Sequence, residues 1–261
     1  MSGPPRIHPS AVVDPAARLG EGTVVEAFCV IGPGVTMGPG CVVGPHAVIE
    51  GPAALGARNR IFPFASIGMA PQDLKFRGEP TSVEIGDDNT FREGVTVHRG
   101  TMGGGGVTRI GSGNLLMVGT HVAHDCRVGS RIIFANAATL AGHVTVEDGA
   151  TVGAFSGVHQ FCRIGRDAYI GGCSVVTQDA LPYVLTVGNR ARSYGINVIG
   201  LERKSFPAGT IAALKRAYRT LFRMRLALDE AGRRVEEEQG EVPEVRVLLE
   251  FIRGSQRGVI R

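Results

Sequence analysis

The sequence has no tryptophan, only 6% aromatic residues, no Cys-x-x-Cys pair and no long apolar run. The missing apolar run argues against a membrane-spanning helix, and the opening MSGPPRIHPS lacks the hydrophobic core of a secretory signal. We therefore expect a cytoplasmic protein without stable membrane insertion. The scarcity of aromatic residues, together with 38 glycines, is typical of tight corners around a thin core.

A six-residue repeat fills most of the chain. Every sixth residue is apolar from Ile7 to Ile67 and again from Ile110 to Val176. A residue that fits a narrow interior follows each of the later positions by four. An α-helix repeats about every 3.6 residues and a flat strand about every 2, so a register of six predicts a parallel β-helix with three hexads per coil.

The fold prediction is an all-β solenoid, a left-handed parallel β-helix of hexapeptide repeats, over residues 1–189. The left hand is taken from other hexapeptide-repeat families. The register breaks twice, which predicts excursions from the coil at 68–82 and 101–109. Apolar residues at helical spacing beyond Ser205, a candidate N-cap, predict a small C-terminal α-helical domain over 190–261 that covers the end of the solenoid.

The cysteines and the charges are placed unevenly. Four of the five cysteines occupy the small inward position of a hexad and Cys173 lies one residue off it, so we expect buried thiols rather than disulfides or metal ligands. Residues 1–200 carry 15 basic and 15 acidic side chains, whereas residues 201–261 carry 13 and 9. The excess of positive charge near the C-terminus suggests a face for an acidic protein partner. We expect no nucleic-acid partner.

Five of the seven histidines lie between residues 98 and 159. His121 and His124 flank the inward Val122, so both can project outward. One coil of three hexads takes His124 to Gly142, beside His143, and a second coil leads to His159 and Gln160. The repeat therefore predicts a vertical file of histidines on one surface of the solenoid.

General base catalysis is the use that best fits this file. A neutral imidazole can take a proton from a hydroxyl near pH 7, and Asp125 beside His124 can hold one tautomer. Gly142 has no side chain, so its N–H can approach a developing oxyanion. A base and an oxyanion donor are parts that an acyl transfer needs. We find no nucleophile motif and therefore expect the acceptor to attack the acyl group directly, without an acyl-enzyme. The glycines at 103–106 are not followed by the Lys of a phosphate-binding loop, so we expect a flexible loop there.

Several motifs together resemble one enzyme family. They are IGMAPQDLKFRGEPTSVEIGDDNTFREGVTVHRGT, NLLMVGTHVAHDC, TLAGHVTVEDGA, VHQFCRIG and the closing RGVIR. These motifs are similar to those of the acyl-[acyl-carrier-protein]–UDP-N-acetylglucosamine O-acyltransferases, the first enzymes of lipid A synthesis. The resemblance implies a homotrimer with active sites between subunits. It also implies transfer of a 3-hydroxyacyl chain from acyl carrier protein to the sugar 3-hydroxyl of UDP-N-acetylglucosamine, with no metal and no cofactor beyond the acyl-phosphopantetheine donor.

The resemblance also implies roles for particular residues. His124 is the expected base, Asp125 its orienting partner and Gly142 the oxyanion donor. The residues expected to contact substrate are Gln72, Asp73, Lys75, His121, His143, His159, Gln160, Asn197, Arg203 and Lys204. Gly172 matches a position that gauges acyl length, where a missing side chain favours a longer chain. Ile199 departs from the family pattern, since some members carry Glu there.

Two other enzymes remain as alternatives. The N-acyltransferase of the same pathway carries an additional N-terminal nucleotide-binding domain, for which hexads that begin at Ile7 leave no room. A zinc hydro-lyase of the gamma carbonic anhydrase type binds its metal through histidines, but its histidine spacing is absent here. The sequence leaves open whether the acceptor carries a 3-hydroxyl or a 3-amino group.

Overall fold

The computed structural model describes residues 3–261. Short strands separated by corners make up the first three quarters of the chain, and four helices follow. The strands are β1 (Arg6–Ile7), β2 (Val12–Val13), β3 (Arg18–Leu19), β4 (Val24–Val25), β5 (Val30–Ile31), β6 (Val35–Met37), β7 (Val42–Val43), β8 (Val48–Ile49), β9 (Ala53–Leu55), β10 (Arg60–Ile61), β11 (Ser66–Met69), β12 (Ser82–Ile85), β13 (Thr90–Phe91), β14 (Thr96–His98), β15 (Val107–Ile110), β16 (Leu115–Leu116), β17 (His121–Val122), β18 (Arg127–Val128), β19 (Ile133–Phe134), β20 (Thr139–Leu140), β21 (Thr145–Val146), β22 (Thr151–Val152), β23 (Gly157–Val158), β24 (Arg163–Ile164), β25 (Tyr169–Ile170), β26 (Val175–Val176), β27 (Val184–Val187) and β28 (Arg192–Ile196).

From β1 to β26 every third strand joins the same sheet, so the chain winds as a three-sided prism, a left-handed parallel β-helix. The three sides are an 11-stranded sheet that begins with β1, a 9-stranded sheet that begins with β2 and an 8-stranded sheet that begins with β3. Successive coils pair in parallel and in register, as where Arg6 pairs with Val24, three hexads further along the chain. The predicted fold class is confirmed, and so is the coil of three hexads.

Inward residues of the hexads form one continuous core inside the prism. Cys29, Cys41, Cys126 and Cys162 are fully buried within it, and Cys173 is exposed, as the register predicts. The apolar positions of the first coil behave differently. Ile7 is 46% exposed, and Val13 and Leu19 are only half-buried, because this coil forms one end of the described prism.

Two insertions leave the prism where the register breaks. Arg60 pairs with Thr90, and Thr90 pairs with Leu115. Compared with a regular coil, the first insertion adds two whole hexads, whereas the second adds one hexad and one further residue. The first therefore preserves the phase of the hexads and the second shifts it by one. The neighbouring strands extend further than the sequence pattern indicates, so the segments outside strands are 70–81 and 99–106.

The C-terminal region pairs one strand with the prism and then turns helical. β28 runs antiparallel to β27, and the helices are α1 (Val198–Arg203), α2 (Ala208–Arg223), α3 (Leu228–Gln239) and α4 (Pro243–Arg253). The N-cap position of α2 is Pro207 rather than Ser205. Between the more apolar α2 and α4, α3 consists mostly of charged residues. Beyond α4, Ile260 is buried against the prism core, so the closing residues cover the last coil.

Candidate active site

The candidate catalytic residues lie at the corner between the 9-stranded and 8-stranded sheets. Val122 at the end of β17 and Cys126 before β18 both point inward and are fully buried. The three residues between them must therefore turn the corner, and Asp125 makes the turn with a φ of 60°. This local geometry places the His124 side chain on the outside of the prism, where it is 16% exposed.

His124 and Asp125 form a hydrogen-bonded pair. The His124 Nδ1 lies 2.8 Å from Oδ2 of Asp125, whose side chain is completely buried. An ionised carboxylate only accepts hydrogen bonds, so the proton resides on Nδ1 and the lone pair on Nε2. The pair therefore presents a fixed imidazole with a free basic nitrogen.

Gly142 lies beside this imidazole, one coil further along the chain. A Cβ on Gly142 would stand 2.5 Å from Cε1 and 2.7 Å from Nε2 of His124, so only glycine leaves room for the ring. Within residues 3–261 the Gly142 N–H has no hydrogen-bond partner. Proline occupies the corresponding corner position of other hexads, as at Pro33, Pro39 and Pro45, which shows that the sheets do not need this N–H. It is free to donate to a ligand.

The predicted histidine file forms around this pair. The His143 N–H donates to the carbonyl of His124 over 3.0 Å, and the two rings meet edge to face at 5.1 Å. His143 also stacks on Phe161 at 4.4 Å. Its pKa is lowered, mainly by burial, with the charge of Asp125 acting in the opposite direction. His143 therefore favours the neutral form.

His121 belongs to a second group of side chains next to the file. Its Nδ1 lies 2.7 Å from the hydroxyl of Thr96, and burial lowers its pKa. His98, which the sequence reasoning left out, meets the His121 ring edge to face at 4.8 Å. Burial and the nearby His121 and His124 lower the pKa of His98 to about 4, so this ring is neutral.

The other predicted contacts at this corner are more exposed. His159 and Gln160 occupy the corner one coil beyond Gly142, with the His159 Nδ1 3.1 Å from the carbonyl of Gln160. In the first insertion Gln72 and Lys75 are exposed, and Asp73 accepts a 2.9 Å hydrogen bond from the Lys75 N–H. The charge of Asp73 also acts to raise the pKa of His143, against the effect of burial, so the insertion extends toward the file.

The remaining predicted residues lie away from His124 within one chain. Asn197 caps α1, since its Oδ1 accepts from the Gly200 N–H at 3.2 Å. Lys204 pairs with Asp167 and donates to the carbonyl of Gly149, at the corner between the 8-stranded and 11-stranded sheets. The neighbouring Arg203 is exposed.

Gly172 lies at the third corner, between the 11-stranded and 9-stranded sheets, where a Cβ would meet the carbonyl oxygen of Ala154 at 3.3 Å. One prism keeps its corners apart, so the chain alone does not bring Gly172, Lys204 and His124 into one pocket.

The donor atoms of His124, Asp125 and His143 come within 4.8 Å of one another, a spacing that a metal ion can bridge. Their hydrogen bonds argue against that use. Asp125 Oδ1 accepts from the Thr101 N–H at 2.9 Å, and Oδ2 accepts from the Thr101 hydroxyl at 2.7 Å as well as from His124. The carboxylate is thus already occupied, and the donor set fits an orienting hydrogen bond better than a ligand set.

A prism of hexad coils with a histidine–aspartate pair at one corner is the architecture of a hexapeptide-repeat transferase. Residues 16–51 and 143–178 match the family model described as bacterial transferase hexapeptide (six repeats). Residues 179–260 match a second model, described as UDP-N-acetylglucosamine O-acyltransferase, domain 2. Within the described residues, no helix is both long enough and apolar enough to cross a membrane.

Solved structures identify the family. The UDP-N-acetylglucosamine acyltransferase from Bacteroides fragilis is 39% identical, with a TM-score of 0.95 over 98% of this chain and 100% of its own. The Campylobacter jejuni enzyme is 38% identical, with a TM-score of 0.93 over 98% and 99%. The Arabidopsis enzyme is 35% identical, with a TM-score of 0.77 over 98% and 100%. The chain belongs to the UDP-N-acetylglucosamine O-acyltransferase family and is an acyltransferase.

Proposed function

We propose that the protein transfers a 3-hydroxyacyl chain from acyl carrier protein to the 3-hydroxyl of UDP-N-acetylglucosamine, the first step of lipid A synthesis. The observation that carries this proposal is the corner where His124, Asp125 and Gly142 meet. It supplies a base with a fixed tautomer and a free backbone donor beside it, the two groups that attack on a thioester requires.

The reaction follows from that geometry. Nε2 of His124 takes the proton of the sugar 3-hydroxyl as its oxygen attacks the thioester carbonyl. The Gly142 N–H donates to the oxyanion of the tetrahedral intermediate. When the intermediate collapses, the C–S bond breaks and the phosphopantetheine thiolate leaves, taking the proton back from His124. The ester forms in one displacement, without an acyl-enzyme.

Cys126, next to this pair, does not supply a competing nucleophile. Its thiol is fully buried inside the prism, and burial raises its pKa to about 12. A thiolate is the reactive form of cysteine, so this residue is inert at neutral pH. Direct attack by the sugar is the simpler route.

A difference in charge between two sides of the prism supports a homotrimer. Five of the eight strands in the 8-stranded sheet carry a charged outward residue: Arg18, Glu84, Arg109, Arg127 and Arg163. The 9-stranded sheet has no Lys, Arg, Asp or Glu at its outward positions: Val12, Val30, Val48, Ser66, Thr96, His121, Thr139, Gly157 and Val175. Uncharged surface is suited to contact between copies and charged surface to solvent.

Such an assembly accounts for the substrate residues that one chain keeps apart. If the 9-stranded sheet of one copy faces the 11-stranded sheet of the next, His124 of the first lies across a cleft from the corner that carries Lys204 of the second. A threefold axis closes this head-to-tail contact into a ring. We place UDP-N-acetylglucosamine in the cleft, with Gln72, Asp73, Lys75, His121, His143, His159, Gln160, Asn197, Arg203 and Lys204 around it.

The donor side of the proposal rests on α2. Lys215, Arg216, Arg219 and Arg223 lie outside the buried face of this helix, which is formed by residues such as Leu214 and Tyr218. A basic helical surface favours an acidic carrier protein. Gly172 lies at a corner without a side chain and is proposed to admit the end of a long acyl chain. No metal or further cofactor takes part, and the reaction is placed in the cytoplasm.

The experiment that tests this function offers the purified protein a series of 3-hydroxyacyl carrier proteins with UDP-N-acetylglucosamine or its 3-amino analogue. The expected product is an ester of the 3-hydroxyl, which mild base hydrolyses, and its formation is unchanged by a chelator. An amide on the 3-amino sugar as the preferred product would favour the N-acyl alternative. Hydration of carbon dioxide that a chelator abolishes would favour the zinc hydro-lyase.

A further inference from the structure

The second insertion packs directly on the candidate catalytic pair. Residues Met102–Gly104 form a 3₁₀ turn, and the N–H groups of Gly104 and Gly106 donate to the carbonyl of Thr101 at 3.0 and 2.8 Å. The Ser82 N–H donates to the carbonyl of Gly106 at 2.9 Å, which ties the insertion to the 8-stranded sheet. The segment expected to be a flexible loop is a hydrogen-bonded turn.

Glycines let this turn lie against the Asp125 carboxylate. A Cβ on Gly104 would stand 2.0 Å from Cγ of Asp125, and one on Gly100 would stand 2.8 Å from its Oδ1. Side chains at these two positions would therefore displace the carboxylate or the turn. With glycine present, the side chain of Asp125 has no solvent exposure. The turn thus excludes water from the face of Asp125 that His124 does not cover.

Thr101 holds both oxygens of that carboxylate. Its N–H donates to Oδ1 over 2.9 Å and its hydroxyl donates to Oδ2 over 2.7 Å, the same oxygen that accepts from His124. Two donors from one residue fix the plane of the carboxylate. Hydrogen bonds to a buried charged group are among the stronger ones in proteins, and they are costly to lose.

We propose that Thr101 is a positioning residue for the acyl transfer, acting on His124 through Asp125. The second insertion delivers this threonine to a place that a regular coil does not reach. Its hydroxyl holds Oδ2 at the position from which the carboxylate aims the imidazole, so Nε2 faces the sugar hydroxyl. This inference rests on the proposed role of His124 as general base.

The test compares Thr101→Val, which keeps the shape and loses the hydroxyl, with Thr101→Ser, which keeps the hydroxyl. Thr101→Val is expected to lower kcat on the order of 10- to 100-fold, the rate equivalent of one charge-assisted hydrogen bond, with KM nearly unchanged. Thr101→Ser retains most of the activity. The exposed Thr36, which lies on the 8-stranded sheet, is the matched control, and Thr36→Val leaves kcat unchanged.

A second comparison separates positioning from a structural effect. Combined with His124→Ala, Thr101→Val is expected to add no further loss, because the base on which it acts is gone. The inference would be overturned if Thr101→Val lowered kcat by the same factor in the His124→Ala protein as in the wild type. It would also be overturned if the Thr101→Val single variant had wild-type kcat. A fully active His124→Ala single variant would instead overturn the proposed function.

If Thr101→Val does not fold, Gly104→Ala tests the position of the same carboxylate. This variant is expected to lower kcat with KM nearly unchanged, and wild-type kcat in Gly104→Ala would overturn the inference.

Discussion

Gly142 lies so close to His124 that any side chain at position 142 would enter the space of the imidazole, with its Cβ 2.5 Å from Cε1. The two residues are three hexads apart in sequence and so occupy the same corner in successive coils. This proximity joins the proposed base to the proposed oxyanion donor. It also makes the glycine a sensitive position for testing the geometry.

Gly142→Ala is expected to lower kcat about 10²-fold or more, because the added methyl group displaces the His124 ring. The proposed donor is a backbone N–H, which the substitution retains, so the loss measures the position of the ring. Gly232→Ala in α3 is the matched control, since a Cβ there meets nothing within 4 Å. Steady-state kinetics give kcat for both variants. Equal kcat values would contradict the close fit between Gly142 and the His124 ring.

The exposed basic side chains of α2 are predicted to recruit the carrier protein. Reversing charge with Arg216→Glu and Arg219→Glu is expected to raise KM for acyl carrier protein several-fold, with little change in KM for the nucleotide sugar. Added salt is expected to raise the KM of the wild type for acyl carrier protein in the same way, because exposed charges are screened. Arg18→Glu with Arg246→Glu, at two other exposed positions, is the charge-matched control. Equal donor kinetics in both double variants would remove the role of α2.

The buried His98 predicts how stability depends on pH. Its pKa is about 4 in the folded protein and near 6.5 when unfolded, so between these values the unfolded chain binds the proton more readily. Stability is therefore lost as the pH falls from about 6.5 to 4, by at most about 1.4 kcal/mol per pH unit for this one proton. The lowered pKa values of His121 and His143 act in the same direction.

His98→Gln is expected to make the fall in stability with acidification less steep, whatever its effect at neutral pH. Urea unfolding at neutral, mildly acidic and more acidic pH gives the free energies of unfolding for each protein. His8→Gln is the control, because the His8 side chain is exposed and its ring hydrogen-bonds to the neighbouring Ser10. An unchanged slope in His98→Gln would show that the ring does not stay neutral in the folded protein.

The prism was predictable because its period is a local property of the sequence. Each inward residue, such as Val122 or Cys126, must be apolar or small to fit the narrow interior, and the register reports this directly. Apolar spacing alone does not reveal the helix α3, because only Ala231, Val235 and Gln239 are buried along it, too few to form an apolar stripe. Its existence depends on packing against α2 and α4.

The site was partly predictable for the same reason. A regular coil of three hexads places Gly142 against His124, and simple addition finds that pair. The sequence does not reveal Thr101 and His98, because adding 18 residues no longer locates the neighbouring coil across the second insertion. Thr96 pairs with His121, whereas three hexads from Thr96 lead to Asn114. The one signal for them is the phase shift of one residue at the second insertion. The contacts of the inserted turn with Asp125 follow only from the fold.

The most direct test of the account is the turnover of His124→Ala with a 3-hydroxyacyl carrier protein and UDP-N-acetylglucosamine. Its kcat is expected to be lower by roughly 10²–10⁴-fold, because a general base is lost from a surface that the fold does not need. The melting temperature and oligomeric state are expected to match the wild type, and His8→Ala serves as the control. A folded His124→Ala protein with near-normal turnover would contradict the assignment of His124 as the base.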